Sequence, residues 1–456
     1  MHSLPPPTAR RGAAIALLLA AGALFGWRAV IRPAPKLYDF AICVTASRMW
    51  LDGENPYEHE RLWQRWRDAA AHRPAHVPAD LTYQHSLLPP SVFPLLAPFT
   101  LLPPRVAFPL WQWLSVAGVV AMTMALLSLA HIRWRESLGM VALAGVLLCG
   151  PVQSGVFVGQ PAMPSIALAV LSVWCARRDR SVLAGVLAGV AAAMKVQIGV
   201  PVIFYHLCLG RMRTTVAAAA CLVLIGTVGV ARFELAGVAW VGAWLENLRN
   251  ASAPGAPNSY VDSTSRDHLV NTQLPLYALT GRRAVTEAGT WLLFLALAVL
   301  WFIRRAPRAP EPALTAAVDD VRADADRREL LTFAAWSAVF LLPVYHRYYD
   351  ASLLAAAGLW ALSAVWRGSA TSPWRVPAAA PAPAAALTLA LLLPFALPVG
   401  FATTLLNAAR LPGAWGAAAW WNILVRPLHA WLLAALAACL VWAMWRQPHS
   451  PAPTVD

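Results

Sequence analysis

Residues 177–213 read RRDRSVLAGVLAGVAAAMKVQIGVPVIFYHLCLGRMR, and the placement of charge in this stretch decides the fold. Arginines close both ends. Between them the chain is almost wholly apolar, with Lys195 near the middle. Short arginine-rich loops mark the cytoplasmic side of a membrane protein. With Arg178 and Arg211 both on that side, residues 182–209 must cross an even number of times. One full span takes about 20 residues. The stretch is therefore expected to form two short segments in a hairpin, with Lys195-Val196-Gln197 near the outer tip.

The same pattern extends to either side. Arg10 and Arg11, Arg133 and Arg135, Arg177, Arg213, Arg304 to Arg308, Arg327 and Arg328, and Arg367 border apolar runs and are expected to face the cytoplasm. Runs able to span fall at about 13–31, 106–130, 138–152, 162–176, 214–232, 287–303, 330–344, 351–366, 379–401 and 428–446. The run after Arg10-Arg11 fits a cleavable signal peptide, but an uncleaved first helix gives the consistent topology. Residues 87–104, LLPPSVFPLLAPFTLLPP, are too rich in proline for a straight helix and read as a broken or re-entrant element.

Composition agrees. The 456-residue chain is 59% hydrophobic and 13% charged, where a soluble domain carries about 25% charged residues. Mean hydropathy is +0.55. The formal charge of +14 comes almost wholly from arginine, since the only lysines are Lys36 and Lys195. No basic-aromatic pattern of a nucleic-acid module is present, so the partner implied is the bilayer. Six scattered cysteines have no metal-ligand spacing and read as small core residues. The expectation is an all-α polytopic membrane protein of roughly 10–13 transmembrane or re-entrant helices. Residues 1–446 form one integral-membrane domain, with external loops at 32–86 and 233–286, a flexible cytoplasmic loop at 304–329 and a disordered tail at 447–456. Within the first external loop, 59–73 places Leu62, Trp63, Trp66 and Ala70 on one helical face, as in a helix lying in the membrane interface.

The unusual residues gather on the outer side. Asp39 follows the first apolar run, where a carboxylate is costly to desolvate and persists for function or because it is paired. It reads as a base at the mouth of a membrane-embedded site, or as a solvated acid near Arg28, Arg32 and Lys36. Lys195 reads as a point-charge contact to phosphate, or as a lysine snorkelling to the interface. After Pro343 come Tyr345-His346-Arg347-Tyr348-Tyr349-Asp350. Here arginine and histidine can hold phosphate oxygens and tyrosine can pack on lipid or sugar. The plainer alternative is an aromatic belt with a local ion pair. Gln160, Asn271 and Gln273, with His268 as a similar candidate, read as hydrogen-bond partners of sugar hydroxyls, or simply as polar loop residues. No phosphate-binding glycine loop, zinc signature or nucleophile elbow is present, and no metal or other cofactor is expected.

In order along residues 10–365, these features resemble the GT-C superfamily of polyprenyl-phosphate-sugar-dependent glycosyltransferases, most closely glycosyltransferase family 87. The matching pieces begin with Asp39-Phe40, the Gly53-to-Tyr57 turn and Pro89-Pro90 with Pro94 and Pro98. They continue with Gly159-Gln160, the Ala-Gly-x-x-x-Gly-x-Ala-Ala-x-x-Lys run from Ala184 to Lys195, Asn271-Thr272-Gln273 and the Pro343-to-His346 motif. The chain departs from the pattern at Ala41-Ile42-Cys43, Leu88-Pro89-Pro90 and His346-Arg347. The resemblance implies a GT-C-like helical bundle in the plasma membrane whose site faces the periplasm or exterior. It implies transfer of a hexose, mannose first, from a polyprenyl-phosphate donor to a lipid or glycan acceptor by one inverting displacement. Asp39 would be the base. Lys195, His346 and Arg347 would hold the donor phosphate. Tyr57, Gln160, Gln197, His268, Asn271, Gln273, Tyr348 and Asp350 would contact substrate. A transporter or flippase for an amphipathic lipid or sugar is the rival reading, because broken helices and intramembrane charge also suit transport.

Overall fold

A computed structural model describes residues 7–32, 37–68, 85–262, 268–305, 318–368, 381–397 and 418–447. The described residues are mostly helical, with no strand among them beyond one isolated bridge. Six helices are long and apolar enough to cross a membrane: Thr8–Ile31, Pro104–Ala130, Met212–Leu235, Arg283–Arg304, Tyr348–Trp366 and Leu428–Arg446. Shorter apolar helices lie at Ala162–Ala176, Ser181–Met194, Val196–Cys208 and Ala382–Ala396. The protein is an all-α polytopic membrane protein. It divides into two compact units, each discontinuous in sequence. One comprises Met1–Leu24, Thr123–Pro151 and Asp267–Asp456; the other comprises Phe25–Met122 and Val152–Arg266.

In the second of these units the hairpin expected at 182–209 is present as helices Ser181–Met194 and Val196–Cys208, broken at Lys195. Small residues let its backbones approach closely, as membrane helix pairs require. A Cβ on Gly185 would lie 2.5 Å from the Ala217 Cβ, and one on Gly189 would lie 2.6 Å from the Ala218 carbonyl. The glycines of the Ala-Gly-x-x-x-Gly run are thus a packing seam against helix Met212–Leu235. Ser165 and Ser172 donate to the Ala191 and Ala184 carbonyls at 2.9 and 2.7 Å, joining helix Ala162–Ala176 to the same hairpin. The proline-rich segment contains one short helix, Val92–Thr100, with Pro98 inside it. Trp50 Nε1 donates to the Gly229 carbonyl at 2.8 Å, and Gly229 lies directly against the Pro90 carbonyl.

In the first unit, helices Arg283–Arg304, Val318–Phe340 and Leu428–Arg446 pack together. Trp301 Nε1 donates to the Thr332 carbonyl at 2.9 Å and Trp445 Nε1 to the Leu300 carbonyl at 3.3 Å. The expected flexible loop at 304–329 is corrected here. From Val318 onward it is the first part of helix Val318–Phe340. An Asp324–Arg328 pair at 2.8 Å and a buried Asp326 that meets His131 Nε2 at 3.0 Å stabilise it. Residues 306–317 and the tail beyond 447 lie outside the described residues.

Helix His59–Asp68 corrects a second expectation. Its apolar face does not lie open to a bilayer: Leu62 and Trp66 are buried in the core with Tyr57, Phe93, Phe233 and Trp240. Arginines face outward instead. Ala69 to Arg73 lie outside the described residues. An exposed apolar stripe occurs on a different helix, Val241–Ala251, as Val241, Leu245 and Leu248.

Candidate active site

Asp39 occupies the first turn of helix Tyr38–Asp52, where a carboxylate is favoured by the helix dipole. The helix is fixed by its next residue. Phe40 is fully buried, stacked on Trp111 at 4.7 Å and 10°, and meets Phe99 and Phe108 edge-on. Each such aromatic pair adds about 1 kcal/mol beyond its burial. Asp39 itself stays half-buried and faces the turn Gly159-Gln160-Pro161.

That turn is built for the contact. Gly159 has φ +71°, and a Cβ there would lie 2.9 Å from both Leu37 Cδ2 and Phe40 Cβ. Trp111 Nε1 donates to the Gly159 carbonyl at 2.9 Å, and the Leu37 N–H donates to the Phe157 carbonyl at 2.9 Å. Held this way, Gln160 donates from Nε2 to Asp39 Oδ2 at 2.7 Å. Two residues 121 positions apart, each singled out in the sequence, are brought together.

Lys195 stands in the same unit. It interrupts the hairpin with an extended backbone (φ −149°, ψ 99°), its carbonyl accepting from the Ile198 and Gly199 N–H groups at 3.0 Å. Its side chain is half-buried. Met194 beside it belongs to the core cluster that contains Phe40 and Cys43. A carboxylate and an ammonium therefore border one patch of core. Gln197 is exposed at the start of the second hairpin helix.

The remaining candidates lie in the other unit. Residues 268–272 run beside 342–347: the Val270 N–H donates to the His346 carbonyl and the Thr272 N–H to the Leu342 carbonyl, both at 3.1 Å. Leu269 and Arg347 form an antiparallel bridge. His346 is 1% exposed, and its Nδ1 lies 3.1 Å from Asp350 Oδ2. The same oxygen accepts from the Arg347 N–H at 3.2 Å. With Nδ1 bound to a carboxylate, Nε2 is the working nitrogen of the ring. It is buried without a partner, as is Asn271 Oδ1. Asn271 Nδ2 donates to Gln273 Oε1 at 2.7 Å. Arg347 Nε donates to the Tyr345 hydroxyl at 2.5 Å, with the guanidinium over that ring. His268 is exposed.

Three residues expected to touch substrate are committed within the protein. Asp350 is 1% exposed and holds His346 and Arg347. The Tyr348 hydroxyl lies between the carbonyls of Phe395 at 3.0 Å and Leu397 at 2.5 Å. Tyr57 donates to the Leu88 carbonyl at 2.8 Å, its ring buried among aromatics. Their sequence context gave no sign of these partners, which lie between 31 and 49 positions away for the tyrosines. Asp350 was the more legible case, because it stands only four positions after His346.

The model of glycosyltransferase family 87 matches residues 87–319, slightly more than half of the chain. Gln160, Lys195, Gln197, His268, Asn271 and Gln273 lie inside the match; Asp39, Tyr57 and the residues from His346 to Asp350 lie outside it. No curated protein and no solved structure matches the chain.

Proposed function

We propose that this chain, which belongs to glycosyltransferase family 87, transfers a hexose from a polyprenyl-phosphate donor to a lipid or glycan acceptor at the outer face of the plasma membrane. Mannose is the first candidate sugar. Asp39 takes the proton of an acceptor hydroxyl, whose oxygen attacks the anomeric carbon as the bond to the phosphate oxygen breaks. The configuration inverts, and the electron pair leaves with the polyprenyl phosphate.

The observation that carries this reading is the hydrogen bond from Gln160 to Asp39 Oδ2. An amide donor on one oxygen orients the carboxylate as an acceptor, and a base must be aimed before it can act. Lys195 supplies a positive charge in the same unit. In the other unit, His346 and Arg347 are side chains of the kind that hold phosphate oxygens. With Asp350 on Nδ1, His346 keeps Nε2 as the ring nitrogen available to a substrate. Asn271, Gln273, Gln197 and His268 are the amides and imidazole left for sugar hydroxyls. Tyr57, Tyr348 and Asp350 act as supports.

The test is transfer of labelled sugar from synthetic polyprenyl-phosphate mannose, and from the glucose and galactose analogues, by purified protein in nanodiscs. The expected result is transfer from one of these donors to a membrane acceptor extract. Failure with all three, together with labelling of a Lys195→Cys variant from alternating sides, would favour the transport reading.

A further inference from the structure

Helix Tyr38–Asp52 rises about 1.5 Å per residue, so its last residue stands about 20 Å from Asp39. Just beyond it, the turn ending in Tyr57 enters a group of aromatic rings. Tyr57 lies 6.1 Å from Trp240 and 6.4 Å from Trp244, which are themselves 5.9 Å apart. His59 stacks on His85 at 4.2 Å. Asn247 ties the group together, donating to the carbonyls of Tyr57 at 2.9 Å and Ser86 at 3.3 Å and bonding the His85 side chain.

Within this neighbourhood His59 Nδ1, Trp63 Nε1, His85 Nδ1, Ser86 Oγ, Trp240 Nε1 and Trp244 Nε1 are all buried and without a hydrogen-bond partner. Folded proteins pair nearly all buried polar atoms, and a buried indole N–H usually finds an acceptor. Ser86 is 1% exposed and Trp240 8%. Trp63, Trp244, His59 and His85 are half-buried, so the group stands at the surface layer.

The chemistry of the six atoms selects the ligand. Three indole N–H groups only donate; a hydroxyl and two imidazole nitrogens donate or accept. A phosphate or carboxylate would call for a guanidinium fork, and none is among them. Glu246, beside His85, and Arg67, over the Trp63 ring, are both exposed. A neutral sugar ring fits: its hydroxyls give and take hydrogen bonds, and its C–H faces lie on aromatic rings.

We infer that this neighbourhood, resting on the reading of Asp39 as the transfer base, binds a neutral sugar unit of the acceptor. The separation of about 20 Å along the helix makes the acceptor an extended glycan, gripped several units from the hydroxyl that reacts. Trp240, Trp244, Trp63 and Ser86 are binding residues for it, and Asn247 is a positioning residue.

The test titrates two neutral tetrasaccharides, α-linked mannotetraose and maltotetraose, into the full chain in nanodiscs by calorimetry. At least one is expected to bind. Trp240→Phe and Trp244→Phe, which keep a ring and remove the N–H, should each weaken binding about five- to tenfold. Ser86→Ala should give a smaller loss and stands in if a Phe variant loses thermal stability. Asp39→Asn should bind as tightly as the wild type. Absence of binding by both tetrasaccharides, or wild-type affinity in all three variants, overturns the inference and leaves ordered water as the partner of these atoms. Normal transfer by Asp39→Asn with tetrasaccharide binding intact would remove the base and leave the subsite standing.

Discussion

The surroundings of Asp39 and of His346 pose the same problem and answer it oppositely. Each holds a titratable side chain in a membrane protein, where an unpaired charge is costly. Asp39 is half-buried and accepts a hydrogen bond from Gln160. His346 is 1% exposed, clasped by Asp350 and bound through its backbone to Val270. The first arrangement leaves a carboxylate accessible for proton transfer. The second builds the histidine into the fold and presents a single nitrogen. Variants around His346 should therefore disturb folding together with turnover. Variants around Asp39 should disturb turnover ahead of folding.

The largest expected loss of stability comes from Asp350→Ala. It strands His346 Nδ1 and the Arg347 N–H in a buried site, and each buried polar group left without its partner costs about 1–3 kcal/mol. Thermal unfolding in nanodiscs should show it, accompanied by loss of transfer. Full stability with lost transfer would mean that Asp350 contacts substrate directly. Gly159→Ala comes next, at about 2 kcal/mol, from the positive φ together with the overlap on Leu37 and Phe40. Because it also displaces Gln160, turnover should fall more than for other substitutions of equal stability cost. Gln160→Ala should lower turnover about tenfold with stability changed by less than about 1 kcal/mol. A stability loss matching that of Asp350→Ala would erase the contrast between the two regions.

The smallest effect is one of pH. A hydrogen bond from Arg65 holds the Glu54 carboxyl below its ordinary value of 4.5. A carboxyl lowered on folding adds stability above its unfolded value and loses it as pH falls through the folded value. Wild type should thus exceed Glu54→Gln slightly at pH 6, and the gap should close below about pH 4. Unfolding midpoints across that range check this. A gap that widens on acidification would contradict the pairing.

Much of this was legible in the sequence because membranes constrain so few patterns. Paired arginines and the short apolar stretch between them required the hairpin that breaks at Lys195. Proline density required the interrupted segment around Val92–Thr100. Asp39 and Gln160 stood out because polar residues beside apolar runs are costly. What remained hidden depended on which surface covers which. The tryptophan face of helix His59–Asp68 has the periodicity of an interfacial helix, yet it is covered by protein. Periodicity reports that a face is apolar, not what lies on it. Tyr57 and Tyr348 looked available because their carbonyl partners are distant in sequence. The orphan indoles of Trp240 and Trp244 left no trace beyond their spacing of four.

The central claim is that Asp39 is the base, and the direct measurement is the rate of sugar transfer by Asp39→Asn beside wild type in matched nanodiscs. Asparagine keeps an oxygen to accept from Gln160, so geometry and thermal stability should persist. The rate should fall by about 100- to 10,000-fold. Transfer within about fivefold of wild type, less than the expected effect of removing a general base, would contradict the account.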